Sequence, residues 1–156
     1  FDRVNALAVQ PDGRILVGGS FAAWGAEARQ NIVRLNADGT TDPTFTSPAF
    51  TVATFRSEVF AIALQPDGKI LVAGRFSTVG GLPRPTVARL NADGTVDASF
   101  LTPLFDQGLT AYAVQVEPAG TVLVGGSLQL LEGVDIYNGL VRFTARARVP
   151  PRSPPR

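Results

Sequence analysis

Over the first ten residues the larger apolar side chains of Leu7 and Val9 alternate with the small ones of Ala6 and Ala8. A period of two with apolar residues on both faces predicts a strand covered on both sides. Pro11-Asp12-Gly13 ends it, because Pro fixes φ and Gly accepts the positive φ of a tight hairpin. The chain should return as Arg14-Ile-Leu-Val-Gly-Gly19, an aliphatic run whose glycines suit the close approach of another backbone. Phe21 closes this strand. Beyond a loop of about ten residues containing Gly25, Asn31-Ile-Val-Arg-Leu35 predicts a third strand. Asn36-Ala-Asp-Gly39 forms the next turn, and Pro43 predicts that Thr40 to Phe45 is irregular or at a sheet edge. Thr51 to Phe55 predicts a fourth, outer strand.

The same pattern returns 55 residues on. Pro66-Asp67-Gly68 matches Pro11-Asp12-Gly13, and nine of the twelve positions from Arg34 to Phe45 recur from Arg89 to Phe100. A third, degraded copy carries Pro118-Ala119-Gly120 without the turn Asp, then Val122-Leu-Val-Gly-Gly126 and Leu140-Val-Arg-Phe143. No Asn-Ala-Asp-Gly follows it. The chain therefore divides into repeats at 1–55, 56–107 and 108–144, and a tail at 145–156.

Short strands joined by Asp-Gly turns at a period of 52 to 55 residues fit one four-stranded blade of a β-propeller, whose kelch form repeats at about 50 residues. The fold class is accordingly all-β, with about three four-stranded antiparallel blades. The Ile-Leu-Val-Gly-Gly run resembles the double-glycine core of a kelch blade, without the Tyr and Trp that follow there. More closely, Ala63-Leu-Gln-Pro-Asp-Gly-Lys-Ile-Leu-Val-Ala-Gly-Arg-Phe76, with Arg89-Leu-Asn-Ala-Asp-Gly-Thr95 downstream, resembles the bacterial delta-60 repeat family. That resemblance covers the first two copies fully and the third partly. It implies a propeller blade from large secreted or cell-surface proteins, with no general activity and no catalytic residues to carry over. The departure in the third copy puts its last strand and its blade contacts in question.

Propellers close with roughly 4 to 8 blades. Three copies therefore predict an incomplete ring or part of a larger propeller, with two apolar blade faces left uncovered, each showing alternating side chains such as Phe60, Ile62 and Leu64. Covering one Leu-sized side chain is worth about 1.5 to 3 kcal/mol. The partners expected are further copies of the chain, as an oligomer or filament, or adjoining blades of a longer chain.

Composition narrows the chemistry. Hydrophobic residues make up 45% of the 156 residues, enough for a core, and charged residues only 17%, below the ~25% usual for soluble domains. Arg146, Arg148, Arg152 and Arg156 lie in the tail; without them 10 of the 14 basic residues remain against 13 acidic ones. A slightly acidic body argues against nucleic acid as a partner. No run reaches the ~20 apolar residues of a spanning helix, so membrane insertion is not expected. There is no Cys, His or Met, which removes disulfides, thiolate metal sites and thiol nucleophiles together. A chain without Met is expected to be a processed protein or a piece of a longer one. Ser20, Ser77 and the lone Lys69 form no local motif. No enzyme, cofactor or resident metal is expected, and no catalytic, cofactor-binding or metal site residue is assigned.

Three constellations remain. Asn36-Ala-Asp38-Gly39-Thr-Thr-Asp42, repeated from Asn91 to Asp97, reads either as half a calcium loop or as a turn whose Asn and Asp bond backbone. In the calcium register Arg34 or Arg89 would stand at the first ligand position, where an acid is needed, so the turn is favoured. Asp12 and Arg29 recur as Asp67 and Arg84 and vanish together from the third copy, predicting a bonded pair that braces a loop or the next blade. Trp24 occupies the loop position of Val79, and partial burial is favoured over a sugar-stacking platform. The tail, with Pro150, Pro151, Pro154 and Pro155, should be extended and polyproline-like, as a solvated end, a linker or a docking peptide. The function expected is a structural or adhesive scaffold outside the cell or on its surface, assembling through exposed blade edges. The alternative is a propeller that recognises glycan or protein through the loops of Trp24 and Val79.

Overall fold

Each Pro-x-Gly turn folds its two flanking apolar runs onto each other. In the computed structural model, which describes residues 2–53, 56–101, 109–128, 136–137 and 139–144, Gly13, Gly68 and Gly120 take φ of 84°, 82° and 81°. Their N–H groups donate to the carbonyls of Gln10, Gln65 and Glu117 at 2.8 to 3.0 Å. The left-handed glycine after a turn is the three-residue hairpin geometry. It survives in the third copy, where Ala119 has replaced the turn Asp, because the glycine and not the carboxylate sets φ.

Three hairpins and their third strands give three sheets. The first joins β1 (Val4–Val9), β2 (Ile15–Gly19) and β3 (Ile32–Leu35) in that order. A two-residue strand β4 (Phe50–Thr51) separates it from the second, which joins β5 (Glu58–Leu64), β6 (Ile70–Arg75) and β9 (Val87–Leu90), with β7 (Thr78–Val79) and β8 (Leu82–Pro83) in the β6–β9 loop. The third joins β10 (Thr110–Val116), β11 (Thr121–Ser127), β13 (Leu140–Thr144) and β12 (Ile136–Tyr137). All pairings are antiparallel. The described residues hold no helix long and apolar enough to cross a membrane. The fold is all-β, and the sheets are blades of a β-propeller.

The four-stranded blade needs correction in the first two repeats. Each has three strands, and a single bridge, Leu35 to Thr41 or Leu90 to Val96, stands where a fourth would run. The next acid explains it: Asp42 Oδ1 accepts the N–H of Thr44 (2.9 Å) and Asp97 Oδ1 that of Ser99 (3.0 Å), curling the chain off the ladder. The outer strand expected from Thr51 to Phe55 is also displaced. Phe50 and Thr51 pair with Val79 and Thr78, so the exit of blade 1 joins the loop hairpin of blade 2. Thr54 and Phe55 lie outside the described residues, as does the tail 145–156.

The glycine that closes each of these runs acts as expected, preceded by a second glycine in copies one and three and by Ala73 in copy two. A Cβ on Gly19, Gly74 or Gly126 would overlap the backbone carbonyl oxygen of Arg3, Glu58 or Thr110, at or just before the start of the paired strand. Beside each lies a register shift, at Val4/Ala6, Val59/Ala61 and Ala111/Ala113, the local bend of a β-bulge. The third copy, despite its worn sequence, keeps a complete β11–β13 ladder and buries Val122, Val124 and Val141 against blade 2.

The core lies between blades. Leu16, Ile32, Phe45 and Phe50 of blade 1 meet Val59, Ile70, Val72 and Phe76 of blade 2, and all are at most 2% exposed. Leu71, Ala73 and Val87 on the opposite face of blade 2 meet blade 3. A blade therefore buries both of its faces only when it has a neighbour on each side.

Candidate functional site

The repeated turns carry the densest polar chemistry. Arg34 and Asp42 are eight residues apart, on β3 and just beyond its bridge, and Nε donates to Oδ2 at 2.8 Å with side chains only 6% and 2% exposed. Asp42 also accepts the hydroxyl of Thr44 (2.7 Å) and faces Arg14 Nε at 3.4 Å. The Thr44 hydroxyl, acting against burial and aided by the Thr44 amide and Arg34, lowers the Asp42 carboxyl to about 2. In blade 2 Arg89 Nε donates to Asp97 Oδ2 (2.8 Å) and Lys69 Nζ to the same oxygen (2.6 Å). Burial opposes the charge of Asp97, but Lys69, Ser99 and Arg89 outweigh it and hold the carboxyl well below the usual range. The rings of Phe45 and Phe100 lie under the two guanidinium groups, at 4.8 and 4.6 Å, the geometry of a cation–π contact.

These bonds favour the turn over the calcium loop. Asp38 Oδ1 accepts both the amide (3.0 Å) and the hydroxyl (2.6 Å) of Thr40, and Asn36 Nδ2 donates to that hydroxyl (3.0 Å). Asp93, Thr95 and Asn91 repeat the arrangement. The threonine hydroxyl in each turn lowers the Asp38 and Asp93 carboxyls. Asp42 and Asp97 are held by arginines, and Oδ1 of Asp38 and of Asp93 is taken by a threonine. Among the described residues no three acids converge as a metal site.

The pairing of Asp12 with Arg29 and of Asp67 with Arg84 is overturned. Asp12 bonds the amide (3.0 Å) and guanidinium (3.2 Å) of Arg14, and Asp67 bonds the amide of Lys69 (3.1 Å). Arg29 donates to the carbonyl of Phe45 (2.6 Å) and Arg84 to that of Ala98 (3.0 Å). Asp12 sits at one end of β2 and Arg29 beside the other, and a five-residue strand of ~3.3 Å per residue keeps them apart. The bracing role of the arginines stands, through backbone carbonyls rather than the turn acids.

Trp24 is half-buried, edge-on to Phe21 with centroids 5.3 Å apart, beside an open cleft of about 300 Å³ lined by Asp2, Arg3 and Ala23. Val79 is fully buried and pairs with Phe50 of β4. A second cleft, of about 490 Å³, runs between the turns of blades 1 and 2 past Asp12, Arg14, Arg34 and Asp93, groups already engaged by the bonds above. Ser20 is buried, and Lys69 Nζ is engaged by Asp97 at 2.6 Å.

Two features went unread in the sequence. Arg34 with Asp42 and Arg89 with Asp97 repeat at a spacing of eight, and that recurrence was the available signal. The equivalent residues Asn31, Thr86 and Gly139 all take positive φ, of 61°, 62° and 86°; each carbonyl accepts the N–H of a paired glycine at 2.9 Å. Asn31 Nδ2 also donates to Ser57 O (2.8 Å) and its Oδ1 accepts the Ser57 hydroxyl (2.9 Å), clasping blade 1 to blade 2.

Among the described residues, one blade face leaves large apolar side chains exposed. Val4, Leu7 and Val9 are 49%, 66% and 67% exposed, whereas their blade 2 equivalents Val59, Ile62 and Leu64 pack into the interblade core. Residues 10–45 and 65–100 match the family model described as a domain of unknown function (DUF5122) beta-propeller. No curated protein matches the chain.

Proposed function

Since the chain belongs, through its first two repeats, to a β-propeller family without an assigned function, we propose that it is a non-enzymatic structural or adhesive scaffold module. It assembles by laying one blade face on another, into a larger propeller, an oligomer or a filament. The exposed face of β1 carries this reading: Leu7 at 66% and Val9 at 67% stand in water where the same positions of blade 2 are packed. Each such side chain gains about 1.5 to 3 kcal/mol on burial. The partner is a further blade, from another copy or an adjoining segment, rather than nucleic acid. The non-enzymatic reading is supported by the lack of His and Cys and by the engagement of Lys69 with Asp97. The secreted or cell-surface setting rests on the likeness to delta-60 repeats, and fractionation of the source cells tests it.

Negative-stain imaging with light scattering on the purified chain is the direct experiment. Rings or filaments are the expected result. A folded, stable monomer of 16.4 kDa overturns the reading. A discrete species that binds on a glycan array supports ligand recognition instead.

A further inference from the structure

We infer that the uncovered face of blade 1 receives blade 3 of a second copy of this chain, head to tail, so that two chains close one six-bladed ring. This rests on the assembly reading above and names its partner and stoichiometry.

The contact already exists inside the molecule. Blade 2 contributes Ile70, Val72, Phe76, Val79, Ala88 and Leu90 to the core it shares with blade 1. The equivalent residues of blade 1, Ile15, Val17, Phe21, Trp24, Val33 and Leu35, form a separate apolar cluster. That cluster is one half of an interblade core, and the half supplied in blade 1 by Leu16 and Ile32 has no counterpart over it. The turns agree. A Cβ on Gly94 would strike Phe45 and the carbonyl of Thr46 in blade 1, whereas the equivalent Gly39 has nothing within 4 Å.

Blade 3 presents the strand positions of the missing half, those of Leu16 and Ile32, without a counterpart of Phe45 or Phe50. Its outward positions Ala113, Leu123, Gly125 and Leu140 correspond by strand register to Ala6, Leu16, Gly18 and Ile32, which blade 1 turns toward blade 2. Leu140 is 45% exposed, and Ile32 is fully buried. Arg142 pairs opposite Leu123 as Arg34 does opposite Leu16. Arg34 Nη1 reaches across to the carbonyl of Ala92 in the next blade at 2.6 Å. Arg142, 65% exposed and bonded to Glu117, is placed to reach the carbonyl of Ala37 in the second copy. At the bulges, Asn5 bonds Glu58 and Val59 of the next blade, and Phe60 stacks on Tyr112 at 5.2 Å. Tyr112, 55% exposed, comes next to Asn5 of the second copy.

Closure limits the number of copies. A heterologous contact forms a ring only where the rotation closes, and otherwise a fibre. Two copies of three blades give six, inside the roughly 4 to 8 with which propellers close, and three copies give nine, outside it.

The test is light scattering on the full chain at high micromolar concentration. The wild type should weigh twice 16.4 kDa. Leu7→Glu, on the blade 1 face, and Leu140→Glu, on the blade 3 face, should each fall to a single-chain mass with unchanged far-UV circular dichroism. An equimolar mixture of the two should regain the two-chain species, because the intact blade 3 of one meets the intact blade 1 of the other. If either variant loses its sheet spectrum, Val9→Glu or Arg142→Glu reads the same face. Variants that keep the double mass, or a mixture that remains single-chain, overturn the head-to-tail contact. Wild-type filaments or larger rings overturn two-chain closure and leave the assembly reading standing, and a wild-type monomer overturns both.

Discussion

Asn31 holds blade 1 to blade 2 by two separable effects, side-chain bonds and tolerance of positive φ, and paired substitutions divide them. Its side chain is 1% exposed, its φ is 61°, and Nδ2 donates to Gly19 O at 2.9 Å and to Ser57 O at 2.8 Å. The Ser57 hydroxyl reaches both Asn31 Oδ1 and Phe50 O at 2.9 Å, so it keeps a partner when Asn31 is replaced. Asn31→Gly leaves the backbone at ease and removes the side-chain bonds, at about 1 kcal/mol each, for a loss of about 2 to 3 kcal/mol. For a domain of this size that lowers Tm by roughly 4 to 12 °C. Asn31→Ala removes the same bonds and places a Cβ in the left-handed region at about 1 to 2 kcal/mol. Alanine recovers about 0.5 to 1 kcal/mol of that through the stiffer unfolded chain. The alanine variant should therefore be about 1 kcal/mol less stable than the glycine variant, measured by urea unfolding and calorimetry. An alanine variant as stable as the glycine one, or either within about 0.5 kcal/mol of wild type as surface substitutions usually are, refutes the reasoning.

Thr86→Asn should stabilise the protein by about 1 to 2 kcal/mol, because a β-branched residue at φ 62° with an unpartnered buried hydroxyl gives way to one that accepts that φ; an unchanged Tm counts against it. Gly74→Ala should cost about 3 kcal/mol or more, since its Cβ meets the carbonyl of Glu58, and a thermal melt reads the loss. Asp42, with its folded pKa of about 2 below the ordinary 3.8, and Asp97, lowered in the same direction, give stability that is fully present above pH 4 and lost as pH falls toward 2. With no His in the sequence, the urea midpoint should stay nearly flat from pH 8 to 5 and drop below 4; a drop between 7 and 5 contradicts it. Arg34→Ala, which leaves the buried Asp42 without its closest cation, should cost about 3 to 5 kcal/mol, and Asp42→Asn in the same chain should recover part of that in a double-mutant cycle.

What was legible in the sequence is what local chemistry dictates. Gly13, Gly68 and Gly120 mark hairpins whatever surrounds them, and Gly19, Gly74 and Gly126 mark the carbonyls crowding them. The uncovered blade face followed from counting copies against ring closure. The ladder stops at one bridge beyond β3 and β9 because Asp42 and Asp97, read as optional cation ligands, take the amides that would have continued it, and the outer strand expected from Thr51 is displaced onto β7. Asp12 and Arg29 co-occur without touching, since joint appearance in two copies carries no distance. Asn, Thr and Gly at the three left-handed positions share no side-chain property, so only their common φ joins them.

The pairing of Phe50 and Thr51 with Val79 and Thr78 has a mechanical consequence. These residues belong to blade 1 in sequence and to blade 2 in pairing, so tension on the chain between the blades does not fall on a slack tether. It loads the short ladder to Thr78 and Val79, and the Ser57 hydroxyl on the Phe50 carbonyl, before it reaches the long strand β5. The joint between blades is thus a stitched seam that shares load with the sheet beyond it.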